Sequence, residues 1–432
     1  MVIIIGSGPA GLSCSAHLKD SGIDSIIFEK ESRAGGLLKT KIIGNYQFDY
    51  GGHLLHFRDP KIEKLVKNVV GKKNFIKIKR KAFIYSNRVL TPYPFQVNTY
   101  GLPNHIIQDC LLGFIKAHLN KKRSPRNFKE WILAHFGQGF AKHFFFPFNQ
   151  KFWKIRLEKL DSEWAEWSIP KPSLKNVMEG ALGLNKEDFG YNIWFYYPKT
   201  GGIETVARRM AGKAGKIFLN REIIAVHLKD RKILLANGEK WQYNRLVSTM
   251  PLKELIKLIK DAPAEIKRAG NELKYLSVFC VNLGIKGPKI TPAHWIYFPE
   301  KRFIFYRAGF YSNFFEKSNN YQSMVLEITH LPEEKIKENL LIKRAISDFK
   351  KTGFLRNKHQ IEHSGYMRIP YAYVLYDKAR SRVLDKILNF LEKNQIYSIG
   401  RYGRWGYSTI EGALREGGEG AKKIARCQSQ NQ

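Results

Sequence analysis

Val2 to Ile5 form an unbroken run of β-branched residues, the pattern of a strand buried on both faces. Residues 12–19 read as a helix, and residues 25–28 as a second buried strand that ends at Glu29. Together they make a β-α-β unit of about thirty residues. Helical spacing takes over from Pro103 to Trp167 and is unusually aromatic between Phe136 and Trp153. Strand signals return at Trp194. Residues 222–228 and 232–235 read as paired strands before an Asn237-Gly238 turn. Residues 245–248 read as a core strand stopped by Pro251. Residues 275–283, 295–298, 303–307 and 323–329 form a candidate antiparallel sheet. Residues 395–399 are a last short strand, and residues 411–425 a last helix.

The order is nucleotide unit, insertion, return, second insertion, return. It predicts an α/β fold: a Rossmann-type domain discontinuous in sequence, an inserted helical domain and an antiparallel β-sheet substrate domain. The expected division gives residues 1–75, 191–265 and 371–432 to the dinucleotide-binding domain. Residues 76–98 supply strands of the substrate domain, 99–190 the helical insertion and 266–370 the antiparallel sheet.

Composition changes this picture little. The 432 residues are 44% apolar and 13% aromatic, enough for several cores. Lysine and arginine total 73 against 38 acidic residues, a net charge of +35. That excess favours anionic partners, although solvated surface lysine accounts for most of it equally well. No basic run alternates with aromatics, so nucleic acid is not an expected partner. Cys14, Cys110, Cys280 and Cys427 lie far apart with no CxxC and no cysteine–histidine cluster, so no metal site is expected. This fits a reducing, cytoplasmic compartment. No stretch approaches the roughly 20 apolar residues of a membrane span.

The candidate chemistry begins between the first strand and helix. In Gly6-Ser7-Gly8-Pro9-Ala10-Gly11, Gly6 permits a tight turn, Gly8 a close approach to a pyrophosphate, and Gly11 close helix–strand packing. The N-terminus of the helix that follows offers free N–H groups that suit phosphate. Glu29, followed by Lys30, is placed to accept from ribose hydroxyls, which disfavours a 2′-phosphate.

The stretch Arg33-Ala34-Gly35-Gly36-Leu37, with Thr40 beyond it, resembles the second glycine pair of the glutathione-reductase-type FAD superfamily. Its amine oxidase, protoporphyrinogen oxidase and sugar mutase branches are the most similar. The resemblance implies FAD, with Arg33 supplying charge near the pyrophosphate. Asp49-Tyr50-Gly51-Gly52-His53 is similar to the stretch that passes the flavin ring, and Ile399-Gly400-Arg401-Tyr402-Gly403 to the C-terminal flavin motif. Tyr93-Pro94-Phe95-Gln96, Phe146-Pro147-Phe148-Asn149-Gln150-Lys151-Phe152-Trp153, Tyr197 to Ile203, Leu246 to Met250, Ile296 to Pro299 and Phe305 to Ala308 resemble, in order, segments of UDP-galactopyranose mutases, the eukaryotic type in particular.

That resemblance implies an isomerase that interconverts pyranose and furanose forms of a nucleotide sugar through an adduct on N5 of the reduced flavin. A nicotinamide cofactor would serve as reductant. It implies that Arg307 and His53 are catalytic. Tyr93, Phe95, Gln96, Asn149, Trp153, Tyr297 and Tyr407 would bind substrate. Gly6, Gly8, Pro9, Ala10, Gly11, Glu29, Lys30, Arg33, Gly35, Gly36, Leu37, Gly52, His53, Gly400 and Arg401 would bind the cofactor. Trp153, Tyr297 and Tyr407 read equally as packed aromatics, and the resemblance implies that the Gly52–His53 backbone, in contact with flavin N5, matters more than the His53 ring.

Two positions and one segment depart from the mutase pattern. Ser168 stands where a second diphosphate arginine is expected, with Lys171 as the nearby substitute. Phe314 stands where a tyrosine is expected. Residues 408–413 look more like the amine oxidase ending. The alternative is an FAD oxidoreductase of the protoporphyrinogen oxidase, amine oxidase or desaturase type, acting on a hydrophobic substrate. Residues 105–123 would then be an amphipathic helix for peripheral membrane contact, although an amphipathic helix packed inside the insertion reads the same.

Overall fold

The computed structural model describes residues 1–120, 124–190, 192–314 and 320–429, with side chains to Cys427. Strand β1 (Val2–Ile5) is fully buried, as its β-branched run requires. It pairs in parallel with β2 (Ser25–Phe28) on one side and with Arg245–Ser248 on the other. Ile396–Ser398 and Lys216–Phe218 complete the edges of this five-stranded parallel sheet. Its strands come from three widely separated stretches, so the dinucleotide unit is discontinuous in sequence. Helix α1 (Pro9–Asp20) lies between β1 and β2 and packs against the last helix, Ile410–Ser429. Ser13 Oγ donates to Leu414 O at 2.6 Å and locks the pair.

A seven-stranded sheet forms the second layer. Its order is Gln360–Val374, Tyr275–Lys286, Tyr321–His330, Arg307–Phe310, Trp295–Tyr297, Ala82–Ser86 and Val89–Pro92. The pairing is antiparallel except between Trp295–Tyr297 and Ala82–Ser86, so the sheet is mixed rather than purely antiparallel. The strand expected over residues 303–307 begins instead at Arg307. Glu300 to Tyr306 turn the chain so that Tyr306 N bonds Glu327 O and Arg307 then pairs with Glu327. Residues 222–235 form the expected hairpin, extended by Lys240–Gln242 into three strands.

The helical insertion is built on aromatic packing. Helix Asn104–Leu119 buries Ile106, Cys110, Phe114 and Ala117 against helix Phe128–Phe140, so it is a packed element of the insertion. Lys121, Lys122 and Arg123 lie outside the described residues. Among the described residues, no helix is long and apolar enough to cross a membrane. A π-helical turn, Ala141–Phe145, joins Phe128–Phe140 to helix Phe146–Trp153. Such turns re-aim side chains. This one delivers Phe144 and Phe145 to the cavity described below.

Candidate active site

The turn after β1 is a backbone cradle. Gly6 has φ +91°, and a Cβ on Gly11 would lie 2.1 Å from Gly6 O, so the motif admits only glycine at both places. Helix α1 starts at Pro9 with no side-chain cap on Gly8, leaving its first N–H groups to a ligand. The loop through Gly35 and Gly36 is tied to the motif by Gly35 N donating to Ser7 O at 3.0 Å. Gly36 has φ +58°, and a Cβ there would stand 3.1 Å from Gly8 Cα. The two glycines therefore pack backbone against backbone, and the loop closes directly onto the motif.

Glu29 is buried, and three donors fix its carboxylate: Ser7 N at 2.8 Å, Ser7 Oγ at 2.7 Å and Glu31 N at 3.0 Å. A carboxylate accepts about four hydrogen bonds, so capacity remains for a ribose hydroxyl. Gly400 closes the end of the cradle: its φ is +79°, and a Cβ there would meet Ala10 Cβ at 2.8 Å. These features fit FAD: a bare helix N-terminus, a close-packed glycine turn without side chains and an oriented carboxylate. Three cofactor expectations change in detail. Arg33 is an exposed partner of Glu204 at 3.1 Å, so its charge is already balanced. Lys30 is exposed and Leu37 half-buried.

Gly52 lies against Arg307, which lines a cavity. A Cβ on Gly52 would lie 3.2 Å from Arg307 Nη2. His53, next to it, has no hydrogen-bond partner for Nδ1 among the described residues. Burial, reinforced by the Arg401 cation, pulls its pKa down to about 4, so the ring is neutral at pH 7. Arg401 is itself held by Ser408 O at 2.7 Å and Ala372 O at 3.0 Å, with its guanidinium 4.6 Å from the Tyr407 ring. Its side chain thus faces the Tyr373–Tyr407 wall of the cavity.

The cavity lies between the helical insertion and the seven-stranded sheet. Arg307, Tyr93, Gln96, Asn149, Trp153, Tyr297 and Tyr407 all line it. Arg307 rises from its strand and pairs with Glu327, buried to 2% exposure, through Nε at 3.1 Å and Nη2 at 2.7 Å. Nη1 is left without an acceptor among the described residues. Tyr306 also donates to Glu327. Asn149 is oriented by donation to Phe145 O at 2.8 Å. Phe95 is not part of this wall. It is 1% exposed and stacks on Phe144 at 4.8 Å, so it belongs to the helical core.

Two further expectations are corrected. Lys171 does not line the cavity; it pairs with Glu166 at 2.5 Å. Phe314 is buried against Tyr197 and Phe195, away from the cavity. Ser168 does line the cavity, but its hydroxyl donates back to Trp164 O at 2.7 Å. Sequence reasoning missed Arg80, Asn192, Tyr306, Tyr373 and Tyr376, all of which line the cavity. Arg80 and Asn192 carried no motif. Tyr306 stood beside the predicted Arg307 and could have been found from that neighbour.

Comparison with known proteins agrees with this architecture. The family of flavin containing amine oxidoreductases matches residues 9–425. The fold superposes on a crystal structure of reduced UDP-galactopyranose mutase with a TM-score of 0.93 and 25% identity, covering 99% of this chain and 95% of that one. A putrescine oxidase bound to putrescine gives 0.68 at 15% identity, over 98% of each chain, and shares the fold alone. A 1-hydroxycarotenoid 3,4-desaturase from Flavobacterium sp. (strain P99-3) is 41% identical over 239 residues, 50% of this chain and 48% of that protein. Protoporphyrinogen oxidase 2 of Arabidopsis thaliana is 24% identical over 160 residues, 34% of this chain and 31% of that protein. The chain thus spans about half or less of the curated relatives it matches. With its dinucleotide cradle and its match from residue 9 to 425, the chain belongs to the flavin containing amine oxidoreductase family and is an FAD-dependent enzyme.

Proposed function

We propose that the protein interconverts the pyranose and furanose forms of a nucleotide sugar. The observation that carries this reading is the cavity lining: Arg80 and Arg307, six tyrosines and three carboxamides, with no acidic residue among them. Such a wall suits a ligand with an anionic centre and many hydroxyls. The likeness to reduced UDP-galactopyranose mutase over nearly the whole chain supports the same class.

The reduced flavin, when bound, supplies a nucleophilic centre for the anomeric carbon. The chain's residues do the rest. Arg307 is held in one orientation by Glu327, so its free Nη1 edge meets a departing diphosphate without losing side-chain entropy at that moment. Tyr297 and Tyr407 add hydroxyl donors to the same wall, and Asn149 and Gln96 supply carboxamides for the sugar or base. The Phe144, Phe148, Phe152 and Trp153 side excludes water. Neutral His53 leaves the Gly52–His53 backbone as the polar contact toward the cofactor. A nicotinamide cofactor is the proposed external reductant.

The second reading is an FAD oxidoreductase for a hydrophobic substrate. The aromatic wall and the desaturase likeness favour it. Dithionite-reduced protein incubated with UDP-galactofuranose, UDP-galactopyranose and other nucleotide sugars separates the two. Ring interconversion of one pair, read by chromatography, supports the mutase. No interconversion, with oxygen-consuming turnover of an apolar polyene or porphyrinogen, would replace it with the oxidoreductase.

A further inference from the structure

The two cavity arginines differ in electrostatic state. Arg307 is cancelled by the Glu327 carboxylate beneath it. Arg80 is not cancelled: among the described residues no carboxylate lies within ion-pair distance of it. Its partners are neutral carbonyl oxygens, Asn192 Oδ1 on Nη1 and Phe189 O on Nη2 at 2.6 Å. The lining, taken with Glu327, therefore carries one net positive charge, and it sits on Arg80. Ser168 adds none, because its hydroxyl is spent on Trp164 O, and Lys171 is committed to Glu166.

Arg80 is also pre-positioned. Its backbone N–H donates to Ile193 O at 2.8 Å, which fixes it beside the segment that leads into strand Trp194–Pro198. Its guanidinium lies 5.1 Å from the centre of the Tyr93 ring, a cation–π contact that holds the plane while leaving its edges to acceptors. A guanidinium matches two phosphate oxygens at once, and an anionic phosphate adds a charge–charge attraction that a neutral carbonyl lacks. A phosphate oxygen would therefore displace the carbonyls of Asn192 and Phe189 from Arg80. The Asn192 carboxamide, already in the wall, is then free to turn its own NH2 to the ligand.

We propose that Arg80, with Asn192, is the diphosphate subsite of the cavity, and that it supplies the charge that Ser168 does not. This rests on the nucleotide-sugar reading above. The consequence is a division of labour. Arg80 sets affinity for the anionic part of the substrate, and Arg307 acts on the bond that breaks.

The test is calorimetric titration of FAD-loaded wild type, Arg80→Gln and Arg80→Lys with UDP, UMP and uridine. Arg80→Gln should weaken UDP by about tenfold to hundredfold and uridine by less than about threefold. Arg80→Lys should fall between, because charge is kept and the fork is lost. All forms should hold equal flavin. Parallel weakening of UDP and uridine would assign Arg80 a merely structural role in holding Phe189 and Asn192 and overturn the inference. Unchanged UDP affinity in Arg80→Gln, alongside wild-type conversion of a nucleotide sugar, would overturn this inference alone. A wild type that prefers UDP no more than uridine would overturn the nucleotide-sugar reading and this inference with it.

Discussion

The cofactor cradle and the substrate cavity solve recognition in opposite ways. The cradle is made of backbone: Gly6, Gly8, Gly11 and Gly36 clear space, and Glu29 is its one oriented side chain. The cavity is made of side chains from elements far apart in sequence, among them Arg80, Asn149, Arg307 and Tyr373. A backbone site tolerates little substitution and recognises what every dinucleotide shares. A side-chain site can be rebuilt one residue at a time, as Ser168 and Arg80 illustrate. Chemistry in this protein is thus fixed on the cradle side and adjustable on the cavity side.

The comparison breaks most visibly at Arg307, where the cavity is stiffest. Arg307→Met leaves the Glu327 carboxylate buried without its cation and should cost about 3–5 kcal/mol of stability, together with all turnover. Adding Glu327→Gln keeps an acceptor for Tyr306 and should recover most of the stability without restoring turnover. Denaturant unfolding and the conversion assay together check this. Recovered turnover in the double variant would remove Arg307 from the chemistry.

The sheet that carries Arg307 holds a second buried group. His294 Nδ1 accepts from Lys81 N at 2.8 Å, and burial, with the Lys81 cation, pulls its pKa down to about 4. Between pH about 6.5 and about 4 the unfolded chain binds a proton that the folded chain refuses. Stability from this group is therefore present above the unfolded pKa and lost as pH falls through that window, by about 3 kcal/mol at most. His294→Gln should flatten that part of the pH profile of thermal unfolding. An unchanged slope would mean that His294 is not the group responsible.

On the cradle side, Glu29→Ala should weaken FAD retention by about tenfold to hundredfold. It should leave UDP affinity within about threefold. Flavin absorbance after purification, with the UDP titration, reads both. Equal losses would mean that the two regions are coupled rather than separable. The smallest effect sharpens the boundary of the cavity itself. Phe95→Leu should cost about 1 kcal/mol of stability and leave the KM unchanged, because Phe95 stacks on Phe144 behind the wall. A raised KM would return it to the substrate.

What could be read from sequence follows the same division. The cradle was legible because its chemistry needs glycines at fixed local spacing after a buried strand, and Glu29 follows at the end of the next strand. The resemblance also carried Arg307, Asn149 and Tyr297 to the cavity wall. Phe95 was misread because it shares a motif with Tyr93 and Gln96, and only the tertiary packing turns it inward. Arg80 was not legible because its role depends on pairing with the Ile193 segment, more than a hundred residues away. The strand Gln360–Val374 was missed as well. It contains Gly365 and Pro370, and an edge position is what lets it keep them.

The most direct measurement of the central claim is a crystal structure of the reduced, FAD-loaded protein with UDP. The expected result is FAD pyrophosphate at the bare N-terminus of helix α1, beside the packed Gly8 and Gly36, its ribose at Glu29, and the UDP diphosphate in the cavity with Arg80 and Arg307. A UDP diphosphate bound outside that cavity, or an FAD pyrophosphate away from the N-terminus of helix α1, would contradict it.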